Sequence, residues 1–422
     1  MGYNPPRHDD RRDLMIRLLW VLTAFLLAFA SCSQQNGNIP GITEDTIKVG
    51  MIADLTGPMA FIGQEVSAGA RLYLQHVNEQ GGVHGRRIEL IVEDDSYQPS
   101  RTVVAARKLL DLDQVLCFLG NTGTATTLAI ESILEREGVP LFAPSTWSSA
   151  IYTPPRRYIF GLDPSYRMQS WMMLSIIRQE TQGRHPLIGV IYQDDDFGRD
   201  GLRGLREAAV HYGLHIVAEE SYKRAALDFS TQVLNLKRAN ATHVILWTTL
   251  RETAAVLKEA RLLDWHPVFL GNNTIADDKL VELAGEAAEN LRVLSTINLS
   301  SDTDQMKLYR ELIARYDPGR APQYYHAGGY NFAQFLVEVL QRAGSDLNRE
   351  KLVTVAESFR GWDENLAHMP LTYGPDLRGG SIGQVYLARV DVGQKRFVYD
   401  KEPIRFETPA DFEAAGDSRA EK

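Results

Sequence analysis

Cysteine is almost missing from this chain, with two in 422 residues, Cys32 and Cys117. So few thiols exclude a disulfide scaffold. The ten histidines are scattered, with no cysteine pairs and no His-Glu-x-x-His run, so no metal site is expected. Dinucleotide, Walker and Gly-x-Ser-x-Gly motifs are all absent, although Gly120-Asn121-Thr122-Gly123 superficially resembles a phosphate loop. Serine, histidine and aspartate occur, but no nucleophile is paired with a base in any motif. No catalytic residue and no cofactor are therefore expected. The net charge of −9 argues against a nucleic-acid partner. The longest early apolar run, 18–30, falls short of the roughly 20 residues that a membrane helix needs.

That short run has a role of its own. Arg11, Arg12 and Arg17 precede it, and Ala30-Ser31-Cys32 closes it. A basic segment, a short apolar core and small residues at the cut make a secretory signal over 1–31. Met15 offers an alternative start, since Met15-Ile16-Arg17 alone makes an ordinary basic segment. A cysteine directly after Ala-Ser resembles a bacterial lipobox, in which the thiol is acylated and becomes the new N-terminus. Phe29 stands where leucine is usual, and the plainer alternative is a signal peptide with an incidental cysteine. The expectation is an exported protein held at the periplasmic face of a bacterial membrane by lipid on Cys32, with 32–45 as a tether. Cys117, inside Val115-Leu116-Cys117-Phe118-Leu119, is then an inert core thiol.

About 390 residues follow the signal, more than one core usually holds. Hydrophobic content of 44% and charged content of 23% are ordinary for a globular chain. Periodicity predicts strands over 47–53, 87–93, 115–119 and 140–143, alternating with helices over 61–79, 100–112 and 126–137. After Asp163 a second series begins, with strands over 187–192, 215–220, 243–247 and 267–270. Its helices run over 166–182, 198–212, 229–239 and 251–263. Such alternation implies parallel sheets covered on both faces, and two series imply two lobes. The last third offers a strand over 291–296, helices over 305–316, 324–343 and 349–357, and a hairpin of 383–392 with 396–399. It can complete both lobes if the chain crosses between them more than once. The end, 404–422, is expected to be a loose tail.

Open α/β sheets bind ligands beyond the carboxyl ends of their strands, so the loops there deserve inspection. The first, 120–127, joins glycines to threonines at a helix start, a ready anion site, although simple capping explains the same residues. The next, 144–149, carries Ser145, Thr146 and Trp147. Asp194, Asp195 and Asp196 open a helix in the second series, where capping is the plainer role. Thr248-Thr249-Leu250-Arg251-Glu252 and Gly271-Asn272-Asn273-Thr274 follow later strands.

Several longer runs carry a family likeness. They are Ile47-Lys48-Val49-Gly50 through Leu55-Thr56-Gly57-Pro58 with Gly63 and Gly69-Ala70; Val77-Asn78-Glu79-Gln80-Gly81-Gly82-Val83-His84-Gly85-Arg86; and Glu93-Asp94-Asp95 with Pro99. Glu137-Gly138-Val139-Pro140, Asp196-Phe197-Gly198 with Gly201, Gly285-Glu286-Ala287-Ala288-Glu289-Asn290 and Gly329-Tyr330-Asn331 continue the series. Over about 46–399 the chain resembles the leucine/isoleucine/valine-binding family, the type I periplasmic binding proteins that feed ABC importers. The resemblance implies an α/β fold of two doubly wound parallel-sheet lobes on a three-segment hinge, with crossings near Leu162, Thr296 and Pro375. The first lobe would be 46–162 plus 297–375, and the second 163–296 plus 376–403.

The resemblance also implies a site. Thr124, Ser145, Thr146 and Trp147 would hold a carboxylate, and Phe197 would face it from the second lobe. Asn273 stands where an acid for an α-ammonium is expected, and Trp147 where a hydroxyl is usual. Either Asp194 or Asp196 supplies the missing acid, or the ligand is not an α-amino acid, because a buried unpaired charge is costly. Arg251 suits a second carboxylate. Trp147 and Phe61 suit an apolar or aromatic body, and Tyr325 completes the set. The implied protein is a monomeric, lipid-anchored solute receptor that hands a small carboxylate-bearing molecule to permease subunits. A ligand sensor, or a lipoprotein activating a cell-wall synthase, shares the fold. An exported hydrolase is the remaining rival.

Overall fold

The computed structural model describes residues 1–2, 39–181, 184–379 and 384–405. Cys32 and the stretch 406–422 lie outside the described residues. Pro40 begins the compact unit that contains everything below.

The first sheet grows from the apolar run Thr46–Ala53 (β1), whose last five residues are all buried. A strand covered on both faces reads as a continuous apolar run. Helix α1 (Ala60–Glu79) returns the chain to β2 (Arg87–Asp94), paired in parallel from Thr46↔Arg87 to Ala53↔Asp94. Helix α2 (Pro99–Arg107), strand β3 (Cys117–Leu119), helix α3 (Thr124–Glu137) and strands β4 (Leu141–Phe142) and β5 (Ile159–Phe160) follow, with a short helix α4 (Ser149–Tyr152) before β5. The strand order is β2-β1-β3-β4-β5, all parallel.

Helix α5 (Tyr166–Glu180) leads to the second sheet. There β6 (Leu187–Gln193), β7 (His215–Tyr222), β8 (His243–Trp247), β9 (Val268–Gly271) and β10 (Leu291–Ser295) alternate with α6 (Asp196–Tyr212), α7 (Ser230–Arg238), α8 (Leu250–Leu262) and α9 (Asp278–Ala284). Its order is β7-β6-β8-β9-β10, extended by the antiparallel hairpin β11 (Gln384–Asp391) and β12 (Arg396–Tyr399). In each sheet the order reverses beside its first strand. Loops after β1 and β3, and after β6 and β8, therefore open at the two switch points, where such sheets hold ligands.

Helices α10 (Asp304–Tyr316), α11 (Tyr324–Ala343) and α12 (Arg349–Glu357) return to the first layer. Helix α11 lies against α1 at a spacing only glycine allows. A Cβ on Gly69 would sit 1.8 Å from the His326 carbonyl oxygen, and one on Gly329 1.9 Å from that of Val66. The chain thus crosses between layers three times, and the crossings bond to one another. Gly161 N–H donates to the Arg378 carbonyl at 2.9 Å, and the Tyr373 hydroxyl to the Gly161 carbonyl at 2.7 Å. The Thr296 hydroxyl donates to Asp163 Oδ2 at 3.2 Å and lies 2.9 Å from the Tyr324 hydroxyl.

Each core is apolar. Leu109, Phe118, Ile130, Leu134 and Leu141 fill the first, and Met172, Leu174, Val190, Leu205 and Trp247 the second. Each such side chain contributes about 1.5–3 kcal/mol on burial. Cys117 is fully buried, and burial pushes its thiol up to about 12, as an inert core residue requires.

Several elements differ from the sequence expectation. Helix α2 ends at Arg107 and passes into a π-helical turn over Lys108–Leu112. Helices α3 and α6 each begin two residues early, at Thr124 and Asp196. Short pieces such as α4, α9 and β5 went unforeseen, because two to seven residues are too few to show a period.

Candidate functional site

Two turns built by carboxylates present the first wall of a cleft between the layers. Asp54, fully buried at the end of β1, accepts the backbone N–H of Thr56 at 3.2 Å and of Met59 at 2.7 Å. This holds Met59, and Ile62 one turn on, toward the opening of the sheet. After β2, Asp95 accepts the Tyr97 N–H at 2.9 Å and the Thr102 hydroxyl at 2.7 Å, fixing Tyr97 in a left-handed conformation with φ 58°. Gly123 approaches the Tyr97 ring so closely that a Cβ would lie 2.4 Å from it.

Helix α3 starts at that point, with Thr124 as its first residue and no side chain capping its N–H groups. An uncapped first turn leaves N–H groups without helical partners at the positive end of the helix dipole, and its Gly123 and Thr124 line the cleft. The Thr124 hydroxyl lies 2.6 Å from that of Thr146, which lies 3.4 Å from the Tyr166 hydroxyl. Thr146 thus stands behind Thr124 and orients it.

The second wall comes from α6, α8 and the turn after β9. Asp195 caps α6 by accepting the N–H of Phe197 at 3.1 Å and of Gly198 at 3.4 Å, which aims Phe197 inward. Thr249 precedes α8, and Thr274 lies in a single turn of 3-10 helix over Asn273–Ile275. Together Met59, Ile62, Tyr97, Gly123, Thr124, Ser145, Trp147, Tyr166, Phe197, Thr249, Thr274 and Tyr325 enclose about 20 Å³ of open space, room for one or two waters. The rings meet edge to face, Tyr166 with Trp147 at 82° and with Phe197 at 74°. The walls already touch. The Tyr166 N–H donates to the Trp147 carbonyl at 2.7 Å, the Ser149 N–H to Asp200 Oδ2 at 2.7 Å, and the Tyr325 hydroxyl to the Thr274 carbonyl.

Of the residues expected at the site, Thr124, Ser145, Trp147, Phe197 and Tyr325 line this cleft, and Thr146 supports it. The others do not line it. Asp196 is exposed in the first turn of α6, because the capping position belongs to Asp195. Arg251 is likewise exposed on α8. Phe61 is half-buried off the wall, since the turn held by Asp54 presents Met59 and Ile62 instead. Asn273 is fully buried behind the wall, where its backbone N–H donates to Gln169 Oε1 at 3.2 Å, and its neighbour Thr274 reaches the cleft. Asp194 pairs with Arg199 at 2.7 Å and does not line the cleft. Sequence reasoning missed Met59, Ile62, Tyr97 and Tyr166 outright. Thr249 and Thr274 stood in loops already singled out. Searching the loop after every strand, β2 included, would have found Tyr97.

The sequence of the periplasmic binding protein family model matches residues 46–395, nearly all of the described chain. The chain belongs to the periplasmic binding protein family. It is 26% identical to a leucine-, isoleucine-, valine-, threonine- and alanine-binding protein of Pseudomonas aeruginosa, over 62% of this chain and 68% of that one. It is 23% identical to the Leu/Ile/Val-binding protein of Escherichia coli, over 81% and 90%. A fatty acid ABC transporter substrate-binding protein from Thermomonospora curvata superposes with a TM-score of 0.78 at 25% identity, covering 87% of this chain and 94% of that one. The family makes this an exported, periplasmic substrate-binding protein and not an enzyme. Among the described residues no helix is long and apolar enough to cross a membrane.

Proposed function

We propose that this binding protein is a lipid-anchored receptor that closes on a small carboxylate-bearing organic solute and delivers it to ABC permease subunits. Its two layers act as lobes, 46–162 with 297–375 and 163–296 with 376–403, turning on the three bonded crossings. The observation that carries this reading is the cleft at both switch points. There an uncapped helix N-terminus with the Thr124 hydroxyl faces Tyr166 and Phe197 from the other layer, with Tyr97, Trp147 and Tyr325 beside it on its own. Helix N–H groups and hydroxyls suit a carboxylate, and the rings suit an apolar body. Relatives named for branched-chain amino acids and for fatty acids share this pairing of a carboxylate with an apolar body.

The test is a thermal-shift screen of amino acids, 2-oxo acids, aromatic carboxylates, dicarboxylates and short fatty acids. A ligand present at 100 times its dissociation constant stabilises the fold by about 2.7 kcal/mol. A screen in which no carboxylate raises the melting temperature contradicts the reading.

A further inference from the structure

The cleft wall contains hydroxyls and rings but no charged side chain. The acids behind the wall are already engaged, Asp54 by the Met59 N–H and Asp277 by the Tyr325 N–H among them. Asp195 is bonded to the N-terminus of α6 and paired with Arg224 at 2.9 Å. Asp194 is paired with Arg199 and Lys223. Asp200 accepts the Ser149 N–H and pairs with Arg203. Glu252 accepts the Thr249 hydroxyl. Asp163 lies behind Trp147, holding the Thr296 hydroxyl of the second crossing. A carboxylate at the α3 N-terminus therefore finds its complement, while a cation beside it finds no acid on the cleft wall. Rings give a cation only partial compensation, and here Tyr166 already meets Trp147, Phe197 and Trp247 edge to face.

A second observation lies on the opposite wall. Thr274 is 6% exposed and lines the cleft, and its Oγ1 has no hydrogen-bond partner among the described residues. A buried hydroxyl left unpaired is costly, and a ligand oxygen satisfies it. Thr249 lines the same wall and gives its proton to Glu252, so its oxygen is left to accept. A neutral hydroxyl can accept from Thr274 and donate to Thr249, and a keto oxygen can accept from Thr274.

We propose that the ligand is a carboxylic acid with an apolar or aromatic body whose second polar group is a neutral hydroxyl or keto oxygen, not an ammonium. This rests on the cleft being the ligand site. Calorimetry tests it with the 2-hydroxy and 2-oxo analogues of leucine and phenylalanine. The comparison set is the two amino acids themselves, glycine betaine, and unsubstituted octanoate and benzoate. The expected result is that a hydroxy or oxo acid binds at least tenfold more tightly than every comparison compound. Thr274→Val should remove about tenfold of that affinity without lowering the melting temperature of the ligand-free protein. An amino acid or betaine that binds as tightly or more tightly overturns the proposal and leaves the cleft reading standing. So does binding confined to octanoate or benzoate, or a Thr274→Val variant that binds like the parent. If no carboxylate binds, the cleft reading falls and the proposal with it.

Discussion

At the scale of single residues, two buried acids give the fold a pH dependence. Burial pushes Asp163, at the first crossing, up to about 7, and does the same to Asp277, which accepts the N–H of Lys279 at 2.9 Å and of Tyr325 at 3.4 Å. An unfolded aspartate titrates near 4. Between those values the folded chain binds more protons than the unfolded one, so stability falls as pH rises from about 4 to about 7. Melting temperature measured across that window should decline, and Asp163→Asn or Asp277→Asn should each flatten the decline. A profile unchanged in both variants would place the titration elsewhere. His326 runs the other way. Burial lowers it to about 4, its Nδ1 lies 2.8 Å from the Tyr309 hydroxyl, and it stays neutral through the same window.

Among the elements, Arg224 joins the loop after β7 to the loop after β2. One nitrogen donates to the Tyr97 carbonyl at 2.9 Å, another to Asp195 at 2.9 Å, and the guanidinium carbon lies 4.2 Å from the centre of the Tyr97 ring. Tyr97 and Phe197, the latter held by Asp195, both line the cleft, so this contact fastens the two walls. Removing it forfeits two hydrogen bonds from a charged group and a ring contact, of which one such bond alone is worth about 1.5–3 kcal/mol. Arg224→Ala should therefore weaken binding roughly ten- to a hundredfold, mostly through faster release, with the ranking of ligands unchanged. Stopped-flow release rates would show it, and an unaltered rate would deny the contact a role in closure. The same elements show what could be read in advance. Long strands and helices declared themselves through period and flanking glycines, and Gly69 and Gly329 belonged to runs that turn out to set the spacing of α1 against α11. The site was legible in part, because Thr124, Ser145 and Trp147 follow their strands directly. Phe61 and Asp196 were misplaced because one residue of rotation in a turn decides which side chain faces inward. Asp54 and Asp195 set those rotations through backbone hydrogen bonds that sequence spacing does not reveal.

For the whole molecule, anchorage and ligand capture make separate claims. The run Ala30-Ser31-Cys32 behind an apolar segment motivates acylation of Cys32. Cys32→Ser should move the protein from the membrane fraction to the soluble one, and a variant that still pellets after a salt wash would rule out the lipid anchor. On the proposed reading capture depends on closure of the two layers around the cleft, and Thr124 lies on its wall at the open end of α3. The most direct measurement is calorimetry of the tightest-binding carboxylate from the screen on the parent protein and on Thr124→Ala. Losing one hydrogen bond to a charged group should weaken binding by about 1.5–3 kcal/mol, roughly ten- to a hundredfold. Equal affinity in the two proteins would place the ligand elsewhere and contradict the account.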